Sequence, residues 1–171
     1  FMANARMPQK TTDARLDGRV CVLNGATSGV GHAAAHRLAQ GGAKLVLVCR
    51  NENKGLRVQE ELKRAYDADA DLIQADFASF DQVRRAASII LQSYPRIDIL
   101  INNAGVHYTH RALTEEGIET VFHVNHLSSF LFTRLLLPRI LSSAPARILQ
   151  INSQGHRFGG LKLSDLNWDR R

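Results

Sequence analysis

Residues 24–31 read NGATSGVG, with glycines at Gly25, Gly29 and Gly31 in the spacing G-x-x-x-G-x-G. Ahead of them lies Arg19 to Asn24 (RVCVLN), a short β-branched run that reads as a buried strand. Behind them Gly31 to Gln40 (GHAAAHRLAQ) is Ala-rich and reads as a helix that Gly41-Gly42 stops. The stretch is therefore the turn from a first strand into a first helix. A helix start offers unpaired N–H groups and the positive end of its dipole, which suit a phosphate. Gly25 allows a tight turn, Gly29 lets the backbone approach a ligand, and Gly31 lets the helix pack closely on the sheet. Thr27 and Ser28 add hydroxyls, and Val30 completes the turn. On spacing alone, a small-residue turn with no ligand explains the glycines as well.

The alternation continues along the chain. Strands are expected at Lys44 to Cys49, Leu72 to Ala75, Ile97 to Ile101 and Arg147 to Asn152. Helices are expected from Asn51, a cap, to about Tyr66, and from Ser79 to Ser93, where Val83, Ala86, Ala87, Ile90 and Leu91 recur at three and four. A long helix covers about Ile118 to Leu141, interrupted or tightened near Pro138. Continuous apolar strands separated by helices imply an α/β fold, a Rossmann-type doubly wound parallel sheet ending after the fifth strand, and analogy with the dinucleotide-binding folds gives the strand order 3-2-1-4-5. Residues 1–17 read as a loosely held tail and 18–171 as part of one domain.

Composition narrows the partners. The 22 Lys+Arg exceed the 16 Asp+Glu, but no run of five or six like charges appears, so a nucleic-acid partner is not expected. No stretch reaches the roughly 20 apolar residues of a transmembrane helix. Cys21 and Cys49, each inside an apolar run, suggest a reducing compartment, with the cytoplasm as the default.

Several segments in order resemble the short-chain dehydrogenase/reductases. That family's T-G-x-x-x-G-x-G appears here with Asn24 in the Thr position, followed by Gly25, Gly29 and Gly31. Its N-N-A-G appears as Asn102-Asn103-Ala104-Gly105, its active-site Asn as Asn125 in VNHLSSF, and its Ser as Ser153 in ILQINSQGH. ILINNAG, EEGIE, VNHLSSFLFT and DLNWDRR look closest to the retinol-dehydrogenase-like branch. The resemblance implies an NAD(P)-dependent oxidoreductase acting on a carbonyl or alcohol, with a lipophilic substrate as one expectation. Dimers or tetramers are usual in the family, so a homo-oligomer is allowed.

Within that resemblance, an acid at the end of the second strand would select NAD. Cys49 stands there and Arg50 follows, so NADP is expected over NAD, because a guanidinium suits a 2′-phosphate. The expected cofactor contacts are Gly25, Thr27, Ser28, Gly29, Val30, Gly31, Arg50, Asn51, Asp76, Phe77, Asn103, Ala104 and Gly105, with Asp76-Phe77 on the adenine side and Asn103–Gly105 at a ribose. Asp76 reads equally as an acid preceding the next helix. Asn125 and Ser153 are the expected catalytic residues.

The family's general acid/base Tyr and the Lys four residues after it do not fall in this sequence. Tyr66, Tyr94 and Tyr108 are followed at that distance by Ala70, Asp98 and Ala112, and the compact-spacing position holds Leu166. The expectation is that the pair lies past Arg171, that the catalytic part of the domain is absent here, and that the fifth strand leaves an exposed edge and apolar surface. A catalytically silent NADP-binding module is the alternative function. His107, His110, His123 and His126 lie close together in the chain without acids or cysteines at ligand spacing, so no metal site is expected.

Overall fold

The computed structural model describes residues 12–153, 155 and 162–170. Five parallel strands form one sheet in the order β3-β2-β1-β4-β5. They are β1 (Val20–Asn24), β2 (Lys44–Cys49), β3 (Ala70–Gln74), β4 (Ile99–Asn102) and β5 (Arg147–Gln150). Helices α1 (Gly29–Gln40), α2 (Glu52–Tyr66) and α3 (Phe80–Ser93) connect the first four strands. The crossover to β5 is a helical stretch in three parts: α4 (Thr120–Phe122), a π-helical turn (His123–Ser128) and α5 (Ser129–Ser142). A 3-10 turn, Leu163–Asp165, follows.

Alternation of side chains along each strand builds two cores. Val20 and Val22 of β1 join Val46, Val48, Ile73 and Leu100 beneath α3 and α5, where Val83, Ala86, Ile90, Phe132, Leu136 and Ile140 meet them. Cys21 and Leu23 join Leu45, Leu47 and Ile101 under α1 and α2, supplied by Ala35, Ala39, Val58 and Leu62. Both faces are thus covered, which is what continuous apolar strands require. β5 differs from β3, the other edge strand: all four of its residues are exposed, and the nearby Ile151 is 45 % exposed. The expected open edge is present.

Two expectations need correction. Pro138 does not interrupt the long helix. It lies inside α5, because Leu136 and Ile140 on either side are buried and hold the helix to the core. The irregularity falls instead at His123–Ser128, where the π-helical turn adds a residue to the helix. The tail is also shorter than read. The Leu16 N–H donates to the Gly41 carbonyl (2.7 Å) and the Leu16 side chain packs against the α1–α2 core, so the chain is seated before β1 begins. Residues 1–11 of the expected tail lie outside the described residues.

One buried charge holds the base of the sheet. Asp98, 2 % exposed, accepts from Arg19 (2.7 Å), the Val20 N–H (2.9 Å) and Arg96 Nε (2.9 Å). Burial alone would raise its pKa, but the hydrogen bonds from Arg96, Arg19 and Val20 outweigh it and hold the carboxyl down to about 2. A folded-state pKa below the unfolded value adds stability above the unfolded value. That stability disappears as pH falls from about 4 toward 2. Asp98→Asn is therefore expected to cost on the order of 2 kcal/mol at neutral pH in urea unfolding, and much less near pH 2.

Candidate functional site

The carboxyl ends of β1, β2, β3 and β4 open into a cleft of about 540 Å³. Its floor is the turn between β1 and α1, and that turn is shaped by two glycines. Gly25 has φ +71°, and a Cβ on it would lie 2.7 Å from the Ala104 Cα. A Cβ on Gly31 would lie 2.2 Å from the Gly25 carbonyl oxygen and 2.4 Å from Asn103 Nδ2. Ala104 Cα and the Gly25 carbonyl are backbone, and Asn103 Nδ2 is tied to that carbonyl, so any larger residue displaces the turn. Gly31 was read as letting α1 approach the sheet; its closest constraint is the turn itself. Gly29 has open space around it, but its φ of +55° also favours glycine.

Asn24 holds this arrangement from below. It is fully buried, and its Oδ1 accepts from the N–H groups of Asn103 (2.8 Å) and Ala104 (2.6 Å). Its Nδ2 donates to Asn102 Oδ1 (2.7 Å). Asn103 Nδ2 then donates to the Gly25 carbonyl (2.9 Å). The amide thus ties the glycine turn to the loop after β4.

The helix end above the turn is open to a ligand. Ser28, the N-cap of α1, makes no capping bond with its side chain, and the first turn of α1 carries no acid. By contrast α2 has Glu52 and the Asn51 cap, and α3 has Asp81 and the Ser79 cap. The N–H groups and dipole of α1 therefore face the cleft uncompensated, and Thr27, Ser28 and Val30 line it.

The opposite wall carries Arg50, Asn51 and Asp76. Arg50 was read as having no acid in competition at the end of β2. The fold brings Asp76 from the end of β3 to 4.0 Å from it, a loose ion pair that leaves the Arg50 side chain 66 % exposed. Asp76 Oδ1 accepts from the Ala78 N–H (2.9 Å), so part of this carboxylate shapes its own turn. Asn51 Oδ1 accepts from the Lys54 N–H (2.9 Å), so that atom serves as the cap of α2. Phe77 lines the cleft as well, and its ring packs edge-to-face on Phe132 in the core. Lys54 also lines the cleft and was missed. The signal was its place one turn into the helix that follows Arg50.

Asn103, Ala104 and Gly105 form the remaining wall. Asn125 sits in the π-helical turn and bonds twice to the Val106 backbone. Its Oδ1 accepts from the Val106 N–H (2.8 Å) and its Nδ2 donates to the Val106 carbonyl (2.9 Å). Ser128 closes the same π-helical turn. Buried, it donates to the Phe77 carbonyl (2.5 Å) and fixes the loop after β3. Ser153 lies two residues beyond Ile151, whose N–H extends the ladder to the Asn102 carbonyl (2.9 Å). Its Oγ accepts from the Gly155 N–H (3.0 Å), and it is not among the residues lining the cleft.

Of the tyrosines, Tyr108 lines the cleft, while Tyr94 donates to Asp71 and has its pKa raised by burial and by that carboxylate. Among the histidines considered, His123 is a core residue whose Nδ1 lies 3.1 Å from Thr114 Oγ1, and burial lowers its pKa. The structure gathers a different set, His32, His36 and Glu61, whose ligating atoms lie within 4.8 Å of one another.

A parallel sheet of this order, with a glycine-shaped turn feeding an uncapped helix, defines the Rossmann-type doubly wound class. More narrowly, the chain belongs to the short chain dehydrogenase family, which it matches over residues 19–164. It is 35 % identical to human retinol dehydrogenase 13, with 100 % of this chain and 51 % of that protein covered. It is 41 % identical to the bovine dehydrogenase/reductase SDR family member 13, with 90 % of this chain and 41 % of that protein covered. A solved Shigella flexneri structure, described as a short chain dehydrogenase complexed with NADP, superposes with a TM-score of 0.77 at 26 % identity. That superposition covers 92 % of this chain and 66 % of the other. The chain spans about half the length of the curated relatives it matches.

Asn24→Ala would strip the acceptor from two backbone N–H groups beneath the turn. The expected loss is about 3 kcal/mol in chemical denaturation, because each stranded donor costs roughly 1–3 kcal/mol. Asn24→Thr, whose hydroxyl can accept one of the two, is expected to lose less than half as much.

Proposed function

We propose that this chain binds NADP and serves an oxidoreductase that interconverts a carbonyl and an alcohol. The observation that carries the reading is the uncompensated N-terminus of α1, closed from below by Gly25 and Gly31 and facing a cleft with Arg50 and Lys54 on its other wall. A volume near 540 Å³ falls within the ordinary range for small-molecule and cofactor sites.

The chain's own residues divide the task. The α1 N–H groups, with Thr27 and Ser28, take the pyrophosphate. Arg50 and Lys54 take the 2′-phosphate. Arg50 has little to give up for it, since its ion pair with Asp76 is long, at 4.0 Å. Asp76 and the Phe77 backbone border the adenine side, and Asn103 to Gly105 border a ribose. Asn125 acts first on the loop, because both ends of its amide hold Val106; the second proton of Nδ2 remains for a water or substrate. Ser153, at the carboxyl end of the β5 edge, orients the substrate carbonyl. The bound nicotinamide would supply or accept the hydride. None of Tyr66, Tyr94 and Tyr108 has a Lys at the fourth position, so proton transfer is assigned to none of them.

The names of the relatives favour an enzyme over a catalytically silent NADP-binding module, and retinol dehydrogenase 13 favours a lipophilic substrate. The NADP in the Shigella structure agrees with the coenzyme reading. A cytoplasmic setting is proposed from the two free buried cysteines, and no helix among the described residues is long and apolar enough to cross a membrane. Homo-oligomerisation belongs to the same proposal.

The test is a pair of dissociation constants. NADPH is expected to bind about tenfold or more tightly than NADH, since a charge-assisted phosphate contact contributes roughly 1.5–3 kcal/mol. Arg50→Glu should remove or invert that preference. A difference under threefold, or a preference that Arg50→Glu leaves intact, would refute the coenzyme assignment.

A further inference from the structure

Away from the cleft, α1 and α2 meet through a group of side chains that the coenzyme reading does not use. His32 and His36 are one helical turn apart and share a face of α1. Glu61 reaches them from α2, on a side of that helix not taken up by the buried Val58 and Leu62. His32 Nε2 lies 2.7 Å and His36 Nε2 lies 3.4 Å from the same Glu61 Oε2. The two imidazole rings are 4.6 Å apart. All three side chains are partly open to solvent, at 37 %, 26 % and 43 %. Behind His36, the Tyr66 hydroxyl lies 3.3 Å from Nδ1.

This geometry places two imidazole nitrogens on one carboxylate oxygen. Without a metal, both Nε2 atoms must carry protons to serve as donors to Glu61, and their hydrogen bonds lower its pKa. Moving each proton to the other ring nitrogen turns the two Nε2 lone pairs and the carboxylate into three converging ligands. His36 Nδ1–H would then donate to the Tyr66 hydroxyl. Such an outer contact orients a metal-bound imidazole. The His32 to Glu61 separation of 2.7 Å must open to about 3.3 Å around a tetrahedral ion with bonds near 2.0–2.1 Å. Glu61 is exposed enough to rotate by that amount.

We propose that His32, His36 and Glu61 form a binding site for a divalent transition metal, Zn²⁺ in the first instance, that staples α1 to α2. Two nitrogens and one carboxylate oxygen are a zinc-type ligand set, with water completing the coordination. Such a set favours Ni²⁺, Cu²⁺ and Zn²⁺ over Mg²⁺ and Ca²⁺, which prefer all-oxygen cages. The site lies directly behind the glycine turn. His32 follows Gly31, and its backbone N–H donates to the Ser28 carbonyl (3.2 Å). A bound ion therefore clamps the same helical turn that opens onto the cleft.

The test is calorimetric titration of the metal-free protein with ZnCl₂, paired with thermal unfolding in ZnCl₂, MgCl₂ or EDTA. One Zn²⁺ per chain is expected, with a higher melting temperature in ZnCl₂ than in EDTA and no rise in MgCl₂. His36→Ala and Glu61→Gln should each weaken Zn²⁺ binding about tenfold or more, since even outer partners of metal ligands contribute tenfold to a hundredfold. A His107→Ala, His110→Ala double variant should bind as the parent does. Bound Co²⁺ should show visible absorption that His36→Ala abolishes. Absence of a one-to-one Zn²⁺ site in the parent would overturn the proposal. So would retention of affinity within threefold in both His36→Ala and Glu61→Gln. None of these measurements involves the coenzyme, so their outcome is independent of the NADP reading.

Discussion

The carboxamide of Asn24 is the junction on which the site depends. Sealed between β1 and β4, it satisfies two backbone donors of the loop after β4 with one oxygen. Its nitrogen passes the chain of bonds to Asn102, and Asn102 Nδ2 passes it to Thr133 on α5 (2.8 Å). Thr133 closes the chain on the Ser129 carbonyl (2.8 Å). These bonds press Ala104 against the residue at position 25 and aim Asn103 at its carbonyl. Only glycine tolerates both at that place, and the carbonyl so fixed is what excludes a side chain at position 31. The shape of the anion-facing turn therefore follows from buried amide geometry as much as from the glycines.

A second set of ties positions the walls. Ser128 reaches the loop after β3, and Asn125 reaches the loop after β4, both from the π-helical turn. An extra residue in a helix re-aims the side chains around it and marks functional positions often. Here it lets two neighbouring positions reach two different loops. The same turn keeps His123 in the core against Phe80, with ring centroids 4.2 Å apart. Rigidity is concentrated at the strand ends, while the cations on the far wall stay exposed and loosely paired. That distribution suits recognition of an anionic ligand: the backbone donors are preorganised and the long side chains adapt.

Much of this was legible in the residues. The covered parallel sheet followed from continuous apolar runs separated by helical periodicity, since such strands must be buried on both faces, while the strand order came by analogy with dinucleotide-binding folds. The glycine turn and the Arg50 position were legible because local spacing and strand ends locate them, whereas Asn125 stood out only through the family resemblance. What escaped was set by contacts between segments distant in sequence. Pro138 reads as a break, yet Leu136 and Ile140 anchor the helix through it. Phe77 lines the cleft as read, but the packing of its ring on Phe132, 55 residues on, shows in no local pattern. Asp76 approaches Arg50 only because β3 lies beside β2. His32 and His36 show helical spacing, but their third partner lies on the next helix and no local pattern announces it.

The central claim is that the backbone N–H groups opening α1 hold a coenzyme diphosphate over the Asn24-braced turn. Amide hydrogen exchange in the presence and absence of NADPH tests it most directly. The account predicts that the coenzyme slows exchange most at residues 27–31, with a smaller effect at 103–105. Protection that leaves residues 27–31 unchanged while appearing elsewhere in the fold would contradict it.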